Sequence, residues 1–175
     1  MENLDKNIVE KLAEAAHKIF YEDLIVKGYK YEPVTQESKK ENGLLKPYTI
    51  LSEDEKESNR NNVRDIPNKL ASVGYVMVKT RGNETISKFK NDEIEKLAKM
   101  EHERWMQEKL SNGWQYSKKT NRSKKLHKSL IPWEKLSEDE KEKDRSLVKG
   151  IPRILSEAGY SIIKSEKLNA CKLLV

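Results

Sequence analysis

Apolar residues recur with helical spacing at two places in the chain. Ile8, Leu12, Ala15, Ala16, Ile19 and Phe20 fall on one stripe, and Ile94, Leu97, Ala98 and Trp105 on a second. Each stripe has the three-to-four-residue period of an amphipathic helix and predicts about five turns. The pattern stops at Gly28 and Gly113, the latter preceded by Asn112, the residue types that tolerate the left-handed geometry of a helix C-terminus. A lysine-rich stretch without period, about fifteen residues long, follows in each case, and loops of that length without structure of their own are often functional. Leu51-Ser52-x-x-Glu55 and Leu136-Ser137-x-x-Glu140 then have the form of capping boxes that open a second helix. Pro67 and Pro152 lie inside that second element, where a missing N–H and a ring clash predict a kink or a restart. Beyond Gly74 and Gly159, Tyr75-Val76-Met77-Val78 and Tyr160-Ser161-Ile162-Ile163 have strand composition. The Gly-aromatic-x-Tyr segments that begin at Gly28 and Gly113 are their expected pairing partners.

The two patterns are one pattern written twice. Shifting the chain on itself by 85 residues aligns 9–79 with 94–164 without a gap, and about 28 of the 71 positions are identical. Leu51-Ser52-Glu53-Asp54-Glu55-Lys56-Glu57 repeats letter for letter as Leu136-Ser137-Glu138-Asp139-Glu140-Lys141-Glu142. His17 answers His102, Tyr29 answers Trp114, Tyr31 answers Tyr116, Tyr48 answers Trp133 and Arg60 answers Arg145. The chain is thus organised as a first repeat over 1–79, a connector over 80–88 with a turn-rich Arg81-Gly82-Asn83 core, a second repeat over 89–164 and a tail over 165–175. A unit of about 70 residues buries only a modest fraction of its surface, so the copies are expected to pack together about an approximate two-fold as one globule, with a pocket at the seam.

Composition narrows the class. Hydrophobic residues are 35% and charged residues 37% of 175, which leaves each aromatic cluster a larger share of the core than usual. No apolar run approaches the length of a membrane span and the N-terminal residues lack the build of a signal peptide, so a soluble, cytoplasmic protein is expected. One cysteine, Cys171, excludes an internal disulfide and a paired-cysteine metal site. The net charge of +6 is a mild bias, short of the dense basic stripe of a dedicated nucleic-acid binder. Abundant Lys, Asn, Ile and Glu hint at an AT-rich prokaryotic or phage genome.

His102-Glu103-Arg104-Trp105, Gly113-Trp114-Gln115-Tyr116, the lysine-rich loop, Leu130-Ile131-Pro132-Trp133, Leu136 to Lys141, Asp144-Arg145 and Ala158-Gly159-Tyr160 occur in this order over about 70 residues. This series resembles the RyR repeat, named for the ryanodine receptor and found also in prokaryotic and phage proteins. The first copy departs from it at Phe20, Tyr29 and Asn59, where the second has Trp105, Trp114 and Asp144. The resemblance implies a mainly α (α+β) fold made of two pseudo-two-fold-related repeats, each with two helices and short strands. It also implies an adenine-nucleotide or small-molecule site of the kind such tandems form, and an association with nucleotide signalling.

The candidate ligand residues follow from both readings. Tyr29 and Trp114 offer flat rings to a planar base, the alternative being that both are core aromatics. Tyr48 and Trp133, each preceded by proline, are candidates for the same cavity, as are Tyr31 and Tyr116. Arg60 and Arg145 are suited to fork onto a phosphate or onto a carboxylate of the neighbouring helix. His17 and His102, on the edge of the buried stripe, favour a structural role over a ligand contact. Arg104 and the loop cations Lys39, Lys40, Lys118, Lys119, Arg122, Lys124 and Lys125 form a solvated face unless the loops cover a bound anion.

No Gly-rich phosphate loop, His-Glu-x-x-His, cysteine cluster or nucleophile elbow is present, so neither catalysis, nor a metal, nor a cofactor is expected. The expectation is non-enzymatic binding of a nucleotide-derived small molecule at the repeat interface, such as a cyclic oligonucleotide or an ADP-ribose derivative. Two uses fit: sequestration by a phage anti-defence sponge, or sensing for a partner chain. The alternative is a protein-interaction module without a ligand. Self-association as a homo-oligomer is compatible with either.

Overall fold

The computed structural model describes residues 4–81 and 88–166. Gly82 and Asn83 of the connector, the tail from residue 167 and Cys171 lie outside the described residues. The chain divides into two compact units, the first formed by residues up to 87 together with those from 150 onward, the second by 88–149.

In the first unit, α1 (Lys6–Val26) opens on Asp5, whose Oδ1 accepts the Asn7 N–H at 2.7 Å. It buries Val9, Leu12, Ala13, Ala15, Ala16, His17 and Ile19, so Leu12, Ala15, Ala16 and Ile19 of the expected stripe lie in the core while Ile8 and Phe20 are half-buried. Gly28 ends it at φ +80°, which any side chain would strain. The helix α2 (Glu53–Arg64) runs along α1. Its capping box is complete: Ser52 Oγ accepts the Glu55 N–H at 3.3 Å and Glu55 Oε2 accepts the Ser52 N–H at 2.8 Å. At Pro67 the chain restarts as α3 (Ile66–Ser72) with the proline in the first turn, where its missing N–H costs nothing.

The lysine-rich stretch is not the structureless loop that its composition suggests. Lys30–Tyr31 (β1) pairs in parallel with Glu41–Asn42 (β2) around a single 3-10 turn at Glu37–Lys39. Lys40 closes the turn in the left-handed region at φ 54° and sends Nζ to the Lys27 carbonyl at 2.8 Å, capping the C-terminus of α1. Thr35 Oγ1 accepts the Gly43 N–H at 3.1 Å and pins the far end.

The second unit repeats this plan. Helix α4 (Asn91–Ser111) packs along α5 (Glu138–Lys149), and Gln115–Tyr116 (β4) pairs in parallel with Leu126–His127 (β5). Lys125 takes φ 52° and caps Asn112 at 2.9 Å, and Thr120 Oγ1 accepts the Lys128 N–H at 3.3 Å. Ser137 Oγ accepts the Glu140 N–H at 3.3 Å, while the Glu140 carboxylate takes the Ser129 hydroxyl at 2.7 Å and Lys128 Nζ at 2.9 Å.

The strand pairing differs from expectation. Tyr75–Lys79 (β3) does not meet the Gly-aromatic-x-Tyr segment; it pairs antiparallel with Tyr160–Lys164 (β6) from the other sequence repeat. The register is symmetric under the 85-residue shift, with Met77 opposite Ile162 at its centre, Tyr75 opposite Lys164 and Lys79 opposite Tyr160. The helix α6 (Ile151–Glu157), which restarts at Pro152 as α3 does at Pro67, packs on α1 and on β6. Helix α6 and strand β6 therefore complete the first unit, although their sequence belongs to the second repeat. Ile66, Leu70, Ile151, Ile154, Leu155 and Ile162 are almost wholly buried there, so a hydrophobic core supplies the packing that two five-residue strands lack. The fold is mainly helical with small sheets. Among the described residues no helix is long and apolar enough to cross a membrane.

Candidate functional site

The second unit contains a continuous row of aromatic rings. Trp133 lies 6.0 Å from His102, His102 stacks on Trp105 at 5.8 Å, Trp105 meets His127 edge-on at 4.8 Å, and His127 reaches Trp114 at 6.2 Å. These separations suit offset and edge-to-face ring pairs. The row is built by local sequence: α4 supplies His102 and Trp105 one turn apart, the glycine stop at Gly113 throws Trp114 off the helix end, and Pro132 sets the 3-10 turn that carries Trp133. Its two end rings are half-buried and each carries a cation. Lys109 Nζ sits 5.2 Å from the Trp114 ring centre, and Lys141 Nζ and the Arg145 guanidinium sit 5.8 and 5.9 Å from that of Trp133.

His102 is buried and satisfied. Its Nε2 meets the Ile131 carbonyl at 2.8 Å and its Nδ1 faces Asp144 Oδ2 at 3.5 Å. Burial alone depresses an imidazole, but the Asp144 carboxylate and the Ile131 carbonyl outweigh it and hold the group above its ordinary value. Burial likewise raises the Asp144 carboxyl. His127 behaves oppositely, pushed down to about 4 mainly by burial. Its Nδ1 accepts the Ser129 N–H at 3.1 Å.

Both arginines form the carboxylate bridge. Arg60 forks onto Glu10, Nε to Oε2 at 2.6 Å and Nη2 to Oε1 at 3.2 Å, and also reaches Glu53 and Glu57. Arg145 holds Glu95 through Nε and through Nη2 at 3.1 Å, and Glu138 at 2.9 Å. They clamp α2 to α1 and α5 to α4. Their partners respond: Arg60 holds the Glu10 carboxyl below its usual range, and burial together with Glu10 pushes the Tyr48 hydroxyl up to about 12. Arg104 forks onto the buried Glu101 at 3.0 and 2.8 Å and adds Glu108. Lys118, Lys119, Arg122 and Lys124 are exposed and enter no ion pair among the described residues, whereas Lys40 and Lys125 are helix caps.

The first unit holds a shorter version. Tyr48 is buried and donates to Glu10 Oε1 at 3.0 Å; its ring lies 5.9 Å from His17, which lies 6.0 Å from Phe20 and meets the Lys46 carbonyl through Nε2 at 2.7 Å. Asn42 stands where the second copy has His127, its Oδ1 accepting the Leu44 N–H at 2.8 Å. Tyr29 is half-buried, and Tyr31 and Tyr116 are exposed. The structure thus joins Trp114, Trp133 and His102 in one row and Tyr48 and His17 in another. It sets Tyr31 and Tyr116 on the surface and Arg60, Arg145 and Arg104 on carboxylates. Sequence reasoning passed over His127 and Asn42. Both side chains accept the N–H two residues on, and their alignment at the same step after a lysine pair was the available signal.

Among the described residues no group of three or more His, Cys, Asp or Glu side chains is placed to hold a metal. The RyR domain model matches residues 1–79 and again residues 83–164. A tandem of this kind supports a ligand-binding or interaction module, and with nearly its whole length matched the chain belongs to the RyR domain family, in two successive copies.

Proposed function

We propose that the chain binds a nucleotide-derived small molecule without catalysis, its base lying on a half-buried tryptophan at an end of the second unit's aromatic row. The observation that carries this reading is the pairing of such a ring with a nearby ammonium at both ends, Trp114 with Lys109 and Trp133 with Lys141. A flat face beside fixed positive charge suits a base bearing phosphate, and stacking on one ring contributes about 1–3 kcal/mol. Arg60, Arg145 and Lys141 grip carboxylates, so the phosphates fall to the exposed Lys118, Lys119, Arg122 and Lys124, which enter no ion pair among the described residues. A cyclic oligonucleotide or an ADP-ribose derivative meets this description. Capture without turnover serves a phage anti-defence sponge as well as a sensor acting through a partner.

The test is to denature the purified chain and identify any released nucleotide by mass spectrometry, then to titrate cyclic di-AMP and ADP-ribose by calorimetry. One-site binding that Trp114→Ala abolishes while helical circular dichroism persists is the expected result. The absence of any released nucleotide, together with no heat from any probe, would sink it. The second reading, docking of a protein partner, draws on the exposed Val26, Tyr31 and Val34 of the first unit, and a partner that co-purifies in the absence of any nucleotide favours it.

A further inference from the structure

Resting on the nucleotide reading, we infer that His127 selects the ligand, donating a hydrogen bond from Nε2–H to an acceptor in the plane of a heterocycle stacked on Trp114. The tautomer is fixed by a neighbour that only donates. The Ser129 backbone N–H points at Nδ1 at 3.1 Å, so Nδ1 offers its lone pair and the proton of the neutral ring sits on Nε2. Nε2 has no hydrogen-bond partner within the described residues. Among the described residues every buried side-chain nitrogen and oxygen does have one, so Nε2 keeps contact with solvent. The ring stands edge-on to both Trp105 and Trp114, which holds its orientation. The ring is therefore held in place before a ligand arrives and loses little freedom on binding.

The surroundings keep the ring neutral. Besides burial, Lys109, Lys143 and Arg122 oppose its protonation, while Glu140 favours it. A neutral donor discriminates by hydrogen-bond geometry, whereas the lysines attract any phosphate. A site that offers a donor rejects analogues lacking the acceptor. The first copy lacks this feature: Asn42 caps the same turn through Oδ1 and carries no ring, so the two copies are not equivalent as ligand sites.

The duplicated sequence supplies the control substitution. His127→Asn retains an acceptor for the Ser129 N–H, as Asn42 does for Leu44, and removes the ring donor. Wild type, His127→Asn and Trp114→Ala are titrated with AMP, GMP and ADP-ribose by calorimetry, and the ring nitrogens of the wild type are followed by 15N NMR. We expect binding to weaken about tenfold in His127→Asn and the His127 Nε2 resonance to shift on adding the bound nucleotide. Trp114-dependent binding that His127→Asn leaves unchanged, with a static Nε2 resonance, overturns this inference alone. If His127→Asn does not fold, the wild-type resonance decides. No binding of any probe to wild type overturns this inference together with the nucleotide reading.

Discussion

Nδ1 of His102 and Oδ2 of Asp144 stand 3.5 Å apart in the second unit, while Nε2 of the same ring meets the Ile131 carbonyl. A carbonyl only accepts, so Nε2 carries a proton. Nδ1 then faces a carboxylate, an arrangement that favours one proton more on the pair than a neutral imidazole beside an ionised aspartate holds. The first copy has no such pair, since Asn59 replaces the aspartate and gives its Nδ2–H to the Glu55 carbonyl at 2.9 Å.

This proton makes stability depend on pH. His102 is raised above 6.5, so its contribution is complete below that value and is lost as pH rises through the folded-state value. Asp144, raised above 3.8, has the same sign, because the folded state keeps a proton that the unfolded chain releases. The pair therefore contributes a melting-temperature slope that falls as pH rises through the folded-state value of His102, opposite in sign to the contribution of His127, which is pushed down to about 4. Asp144→Asn, which copies the first repeat, should flatten that slope in thermal melts followed by circular dichroism. An unchanged slope would place the titration elsewhere.

Arg145 and Glu95 should show coupling of the size usual for exposed carboxylates. Glu95 is half-exposed and Arg145 largely covered, so solvent screening limits the pair to about 0.5–1 kcal/mol despite its fork geometry. A double-mutant cycle with Arg145→Lys and Glu95→Gln in urea measures it. Nucleotide affinity should stay the same in Arg145→Lys, since the guanidinium is committed to the helix clamp.

Leu97 and Leu110 lie on the same helix with opposite fates, the first wholly buried and the second 47% exposed. Leu97→Ala should cost about 2–5 kcal/mol. Leu110→Ala should change stability by about 0.5 kcal/mol or less. Equal effects in chemical denaturation would contradict the burial pattern of α4.

Lys125 should matter to α4 through its side chain. Replacing it with methionine keeps the stem and removes the Nζ bond to the Asn112 carbonyl, for a loss of about 0.5–1 kcal/mol. The matching change Lys40→Met should act alike on α1. Amide exchange of the last helical turn reads both.

Much of this architecture is legible in the sequence, because helix ends are written locally. Ser52 with Glu55, Gly28, Gly113 and the two prolines act within four residues of themselves, and all behave as their types require. The arginine clamps were only half legible: the sequence left Arg60 and Arg145 open between a phosphate and a carboxylate, and the structure pairs them with Glu10 and Glu95, 50 residues away in both copies. Strand partnership was not, since β3 and β6 meet across more than 80 residues and two-residue ladders such as β1 and β2 have too few positions to show a period. His127 escaped notice because the aperiodic loop around it gives no sign of which side chains turn inward.

The sharing of strand β6 sets a limit on how this chain can be dissected. A stop codon after Lys149 would leave α4 and α5 with their arginine clamp, yet would strip the opposite unit of α6, β6 and the antiparallel partner of β3. Duplication at the level of the gene has not produced separable modules: a fragment ending at residue 79 lacks α6 and the partner of β3, and one beginning at residue 89 carries α6 and β6 without the α1 and β3 they pack on.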